Sequence, residues 1–486
     1  METNLAGNVF RSYEAVPDEA DGFLKITEGG IPKGLRGVLY RNGSGRMERG
    51  GKYYGHPFDG DGMISRFAFT DQGIHYRNRF VRTRWFLEEE AAGRILYRNF
   101  GTNRPGGFHR NMFRLRFKNA ANTNVIYHGG KLLALWEGGL PHQLHPESLN
   151  TIGAYTYEGA LLNPTSLMGR VVGPELPFSA HPRFDPATGD LYNFGIAMGL
   201  KPVLMLYRVD SSGRLYRLDS VKLDAMGFMH DFALTRNWFV FFSCPLTFDL
   251  VQMILGLKPV MCCAAFAERR STQVILVPRK GGSPVKLSSA PCFVFHFSNA
   301  FEDKEGRIVV DGPRYGRFPA VEPFAELPRK GFGDFPKMLL TRFTIDLKKR
   351  SVLEEELSGC PAELPRANPL KSGEHYRYIW ASATSTDWKG PYLSGISKVD
   401  TETKKTIFRD YAPDLTSEPL FVSRPDAGNE DDGWILHTLY RKAQHRTDLL
   451  VLEAQNLTPV CRAELPHHQS PGFHGNWVPG ILDQYC

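Results

Sequence analysis

The chain has 486 residues, 42% of them hydrophobic and 23% charged, a balance that excludes a disordered or low-complexity protein and allows a large core without disulfide or metal staples. Fifty-nine basic against 52 acidic residues leave a net charge of +7, scattered along the chain, which argues against a nucleic-acid partner and is compatible with an anionic membrane surface. Seven cysteines form no C-x-x-C pair, so neither a disulfide framework nor a cysteine-rich zinc site is expected, and a reducing, cytoplasmic setting fits best.

The N-terminal stretch METNLAGNVFRSYEAVPDEADGF has an early acid and no apolar core, and is not expected to be a secretory signal. Strand signals then recur in chain order at Gly37–Arg41, Gly73–Val81, Lys131–Trp136, Leu191–Gly195, Val203–Val209, Phe239–Phe242 and Gln273–Val277, and continue at Arg307–Val310, Met338–Ile345, Tyr376–Ala381, Gly433–Tyr440 and Asp448–Glu453. Each is short, rich in β-branched and aromatic residues, and bounded by Gly, Pro, Asp or Asn. The dipeptides Asp59-Gly60, Asp61-Gly62, Ser212-Gly213, Asp311-Gly312 and Asp432-Gly433 are expected to be turns. Helical signal is sparse: a short element over Trp85–Gly93 and one apolar run over Leu250–Leu257. Evenly spread strands without a linker predict an all-β chain, residues 1–486 forming a single domain, with a β-propeller as the natural closed form because radial packing removes sheet edges.

No stretch of uncharged apolar residues is long enough to span a bilayer, so the chain reads as non-spanning, with peripheral attachment left open. The segment 239–266 is unusually apolar for a connection. Two readings stand: a patch that dips into one membrane leaflet or flanks the mouth of a tunnel, and an ordinary loop folded onto the core.

Four of the 15 histidines share a setting. His181 (PFSAHPRFDP), His230 (GFMHDFALT), His296 (CFVFHFSNAFE) and His474 (PGFHGNW) each follow apolar or small residues at what reads as a strand end or tight turn. None has helical metal-motif spacing, so they could meet only where the chain returns repeatedly to one axis. Four neutral imidazoles suit a borderline divalent metal and would leave iron(II) with its full charge. Each could equally be an ordinary surface or core histidine. Glu137 (LLALWEGG), Glu363 (CPAELPR) and Glu418 (TSEPLFV) are candidate carboxylates behind such imidazoles, since a ligating His usually donates its other N–H to a carboxylate or carbonyl. The alternative is surface pairing with an arginine such as Arg366 or Arg424.

These contexts resemble the carotenoid cleavage oxygenase family, especially its bacterial apocarotenoid oxygenases. The likeness runs in order through GVLYRNGSG (37–45), HPFDGDGM (56–63), RFVRT (79–83), ANTNV (121–125), LLALWEGG (132–139), SAHPRFDP (179–186), FMHDFALT (228–235), VFHFSNAFE (294–302), EDDGW (430–434) and FHGNW (473–477). The resemblance implies a seven-bladed β-propeller capped by loops and short helices, with one iron(II) per chain on its axis. It places the iron ligands on His181, His230, His296 and His474 and the supporting carboxylates on Glu137, Glu363 and Glu418. Thr123 matches a residue that in this family crowds an open metal position with its methyl group.

The implied reaction uses dioxygen to cleave a conjugated double bond of a lipophilic carotenoid or apocarotenoid. Stilbene cleavage is the alternative, and a hydrolase or binding scaffold on the same propeller is the more distant one. Stilbene cleavers that read a phenol are similar except for a Lys where this chain has Trp136, which favours a polyene. A vertebrate isomerohydrolase of the family carries longer insertions than this chain. The substrate's lipid solubility implies delivery from a membrane surface through 239–266.

Overall fold

Alternation along the buried strands sets the architecture. In Trp238–Ser243, Phe239 and Phe241 point to one face of their sheet and Val240 and Phe242 to the other, and all four are buried. Such a strand needs a packed partner on both faces. The computed structural model supplies them throughout; it describes residues 5–16, 18–163, 174–197, 201–223, 228–320, 322–331, 335–385 and 392–484.

The strands form antiparallel meanders in chain order. One sheet holds Asn124–His128, Lys131–Leu135, His142–Leu144 and Thr151–Ala154, and the next holds Arg183–Phe184, Leu191–Ala197, Val203–Val209 and Leu215–Lys222. A third contains Ala233–Leu234, Trp238–Ser243, Thr272–Pro278 and Val285–Ser289. Two further meanders share the long strand Ser351–Arg366, which pairs with Met338–Asp346 on one side and Tyr378–Ala383 on the other. The remaining two sheets mix the ends of the chain: Gly475–Val478 pairs with Gly37–Arg46, and Lys25–Gly29 pairs with Pro459–Glu464.

Each sheet packs on the next through its own apolar cluster. Phe239 and Phe241 meet Phe194 and Leu206 of the preceding sheet, while Val240 and Phe242 meet Val310 and Phe343 of the following one. The last sheet returns to the first, with Leu436, Leu449 and Val451 against Leu39, Phe67 and Tyr76. The sheets therefore close into a ring, a propeller-type fold without exposed flat faces.

All twelve sequence-predicted strands are present, most extended by one to five residues. Of the predicted turns, Ser212-Gly213 is one, but three dipeptides lie at or inside strands. Asp61-Gly62 opens Asp61–Thr70 and Asp432-Gly433 leads into Gly433–Arg441, while Asp311-Gly312 sits in the middle of Ile308–Tyr315. Charge pairing explains two of these: Asp61 meets Arg49 and Lys118, and Asp311 meets Arg342 and the Tyr376 hydroxyl, so neither side chain is spent on a turn. Gly312 is needed for close approach, since a Cβ there would lie 2.5 Å from the His296 carbonyl oxygen. The short helix is Arg84–Ala92, begun by Thr83 accepting from the Phe86 N–H and ended by Gly93 at φ +59. Leu5–Ser12 is a helix that the sequence pattern did not signal. Among the described residues no helix is long and apolar enough to cross a membrane.

Candidate metal centre and its cavity

The four histidines occupy equivalent places in four different sheets. Each stands one to three residues before the strand at the edge of its sheet: His181 before Arg183–Phe184, His230 before Ala233–Leu234, His296 before Asn299–Glu302, and His474 before Gly475–Val478. Their ligand-capable atoms lie within 4.8 Å of one another. His181 Nε2 is 2.9 Å from His230 Nε2, which is 3.2 Å from His296 Nε2. Thr123 holds the corresponding place before Asn124–His128, where its carbonyl accepts from the His474 N–H at 3.2 Å and its hydroxyl donates to Asn122 Oδ1.

Three of the rings are held from behind by carboxylates. His296 Nδ1 is 2.6 Å from Glu363 Oε2 and His474 Nδ1 is 2.8 Å from Glu418 Oε1, while His230 Nδ1 lies against Glu137 Oε1. A carboxylate only accepts, so these Nδ1 atoms carry the protons and the three Nε2 atoms present lone pairs to the centre. Burial, and then the neighbouring imidazoles, hold His181 well below the usual histidine range; burial takes His474 down to about 4. Burial opposes a charge on His296 too, but the Glu363 carboxylate outweighs it and raises its pKa.

This donor set fits a divalent cation. Lone pairs facing one another at about 3 Å repel unless a cation sits between them, and imidazole nitrogen suits the borderline first-row metals. The charge agrees: three carboxylates with the one guanidinium paired to them, Arg366 on Glu418 at 2.8 Å, leave two negative charges.

The supports extend further than the sequence indicated. Asp231 accepts from the Phe232 and Phe297 N–H groups and pairs with Arg183, whose guanidinium also donates to the Phe232 and Phe297 carbonyls. This one buried pair ties together the chain on either side of His181, His230 and His296. Glu418 also accepts from the Gly475 N–H, and Tyr315 donates its hydroxyl to Glu363 Oε1 at 2.9 Å. Of the arginines considered as surface partners, Arg366 does meet a predicted carboxylate, but in the interior and alongside His474; Arg424 pairs instead with Asp432 and Glu453.

The centre opens into a cavity of about 910 Å³. Phe58, Phe100, Trp136, Phe228, Phe295 and Phe318 are among its walls, and no lysine lines it among the described residues. That volume falls in the range of small-molecule sites, with aromatic walls suited to an apolar ligand.

Residues 13–479 match the sequence family described as retinal pigment epithelial membrane protein. The chain is also 37% identical to the apocarotenoid-15,15'-oxygenase of Synechocystis over 479 residues, 96% of this chain and 95% of the relative. The chain belongs to the carotenoid cleavage oxygenase family. Within that family it is 30% identical to the isoeugenol monooxygenase of Pseudomonas nitroreducens, covering 95% of both chains, and 30% identical to resveratrol cleavage oxygenase 1 of Aspergillus fumigatus, covering 96% of this chain and 94% of the relative. In structure it superposes on cobalt-substituted Synechocystis apocarotenoid oxygenase with a TM-score of 0.91 at 36% identity, covering 97% of this chain and 98% of that one. Like these carotenoid cleavage oxygenase relatives it is an oxidoreductase. Asp231 and Arg366 lie inside or beside family blocks (FMHDFALT, CPAELPR), so a buried charge next to a ligand candidate was the signal that could have exposed them.

Proposed function

We propose that this chain is an iron(II)-dependent dioxygenase that cleaves a conjugated carbon–carbon double bond of a carotenoid or apocarotenoid into two carbonyl products. The observation that carries the reading is the four-imidazole centre, three of its rings backed by buried carboxylates, at the wall of an aromatic cavity. His181, His230, His296 and His474 would hold one iron, which supplies the redox chemistry that lets triplet dioxygen react with a singlet alkene. Glu137, Glu363 and Glu418 keep the Nδ1 protons in place, so the Nε2 atoms stay aimed at the centre. Thr123, lining the cavity beside His474, presents a methyl group that restricts one open position. The aromatic walls exclude water and hold one double bond of an extended polyene near the centre. In this reading the sheets form seven blades, residues 1–486 act as one propeller domain, and the loops around 84–116 and 249–262 are its cap.

Stilbene cleavage is the competing reading, supported by the names of two relatives. Trp136 disfavours it, because an indole offers no cation to a phenol. Anaerobically purified protein is expected to carry about one iron per chain and to cleave an apocarotenal or a carotene faster than a hydroxystilbene. Preferred cleavage of the hydroxystilbene would overturn the substrate assignment, and activity that persists in metal-stripped protein would overturn the iron.

Delivery from the cytoplasmic face of a membrane completes the proposal, and the structure narrows the segment concerned. Within 239–266 the first part is the buried strand Trp238–Ser243, and Leu255 is half-buried. Leu250, Val251 and Leu257 are exposed. They adjoin a second segment absent from the sequence expectation, where Phe108 and Phe113 are also exposed and the Phe113 N–H donates to the Ile254 carbonyl at 2.8 Å. Arg104 in this segment stands near Arg94, Arg110 and Arg114, a basic rim suited to anionic lipid. Met253, Val260 and Met261 of the same surface line the cavity. Serine at Leu250, Val251 and Leu257 together is expected to lower co-sedimentation with phosphatidylglycerol-containing vesicles severalfold, leaving turnover of detergent-dissolved substrate unchanged; unaltered sedimentation would rule the surface out.

A further inference from the structure

A polar group in the cavity has no partner. His142 opens the strand His142–Leu144, opposite Ala134 on one side and Ala154 on the other, and is 3% exposed. It lines the cavity together with Arg84, Trp85, Leu140, Gly153 and Ala154, in a part built by a sheet that contributes none of the four histidines of the centre. Its Nδ1 is buried without a hydrogen bond. The other cavity histidine outside the centre, His56, spends its Nδ1 on the Phe58 N–H. Burial, and next the Arg84 guanidinium, push the pKa of His142 down to about 4, so at neutral pH it is an uncharged imidazole with one donor and one acceptor.

Leaving such a group unpaired in an apolar setting costs about 1–3 kcal/mol, which a leucine or phenylalanine at the same place would avoid. An acyclic hydrocarbon has nothing to offer it. A polyene ending in a carbonyl or hydroxyl does: the carbonyl accepts from the imidazole N–H, and the hydroxyl can donate to the bare nitrogen. We infer that His142 is a specificity residue that hydrogen-bonds the oxygenated end of the polyene, making this chain selective for apocarotenoid aldehydes or alcohols over hydrocarbon carotenes. The inference rests on the polyene reading above and assigns a recognition point within it. His142 is a positioning residue: it touches the substrate's end group and not the bond that breaks.

The test is binding without turnover. Full-length protein kept under argon is titrated with an apocarotenal and, separately, with the hydrocarbon polyene of equal length, following quenching of tryptophan fluorescence; Trp85 and Trp136 line the cavity. Wild-type protein is expected to bind the aldehyde roughly tenfold more tightly, the scale of one hydrogen bond. His142→Phe is expected to bring the two affinities together by weakening the aldehyde alone. His142→Gln, which restores a donor and an acceptor, is expected to recover most of the preference. A His142→Phe protein that keeps the preference, or loses affinity for both polyenes alike, overturns the assignment while leaving the proposed function standing. A loss in His142→Gln as large as in His142→Phe assigns the effect to packing and also overturns it. Wild-type protein that binds neither polyene overturns both readings.

Discussion

Alanine at any one of His181, His230, His296 or His474 is expected to leave the purified protein with little or no iron and to reduce cleavage at least about a hundredfold. The effect is large because each ring comes from a different sheet, so no neighbouring side chain can move into the vacated position. Losing a group that merely supports a ligand already costs roughly 10–100-fold in metal affinity, and losing a ligand costs more. Three other histidines serve as controls. His437 is fully buried with its Nδ1 near the Thr438 carbonyl, His467 contacts the His468 carbonyl, and His468 reaches the Glu14 carbonyl. Alanine at these places should keep the iron, although His437→Ala should lower the melting temperature by leaving a cavity. Elemental analysis of all seven proteins decides the matter. Iron retained in one of the first four, or lost from a control, would redraw the ligand set.

The second large effect belongs to Glu418. One of its carboxylate oxygens accepts from both His474 Nδ1 and the Arg366 guanidinium, and the other from the Gly475 N–H. Glu418→Ala would leave a buried guanidinium and a buried imidazole N–H without an acceptor, at a cost of about 3–5 kcal/mol. Glu418→Gln should cost less, since its amide oxygen still accepts. Metal affinity should fall in the same order, by roughly 10–100-fold for the alanine.

Acid stability follows from the same carboxylate. Burial pushes its pKa up, but Arg366 and His474 outweigh burial and hold it far below the ordinary glutamate range. A carboxylate whose folded pKa lies below its unfolded value of about 4.3 adds stability above that value. The contribution disappears as pH falls from there toward the folded pKa. The melting temperature of the wild-type protein should therefore drop as pH is lowered below about 4.3, and Glu418→Gln should show a shallower drop. Identical pH dependence in the two proteins would mean that Glu418 does not carry this stability.

The fold was legible where hydrophobic and β-branched residues alternate, because a strand buried on both faces leaves a plain signature, as at Phe239–Phe242. The exceptions are instructive. Asp61, Asp311 and Asp432 precede glycine and look like turn formers, but long-range charge partners in the first two cases override the local preference, and sequence separation hides those partners. The positions of the histidines at equivalent strand starts could be read only through the family resemblance, since spacing alone fixes no common axis. Asp231, Arg183 and Arg366 escaped notice because their importance lies in backbone groups brought from other sheets. The exposed phenylalanines at 108 and 113 escaped for a different reason: nothing in a loop sequence says that it will lie beside a distant apolar helix.

The terminal pairings have a consequence for how the enzyme matures. Gly37–Arg46 is among the first strands to leave the ribosome, and its partner Gly475–Val478 is among the last. His474 stands at the start of that late strand and is tied to the early one, through its carbonyl to the Asn42 N–H at 2.9 Å. Completion of the donor set and joining of the circle are thus one event, and no partially synthesised chain can offer all four nitrogens to iron. Bound metal then acts as a clasp: it recognises only the closed form and stabilises it by mass action, in proportion to the logarithm of the free metal concentration over its dissociation constant.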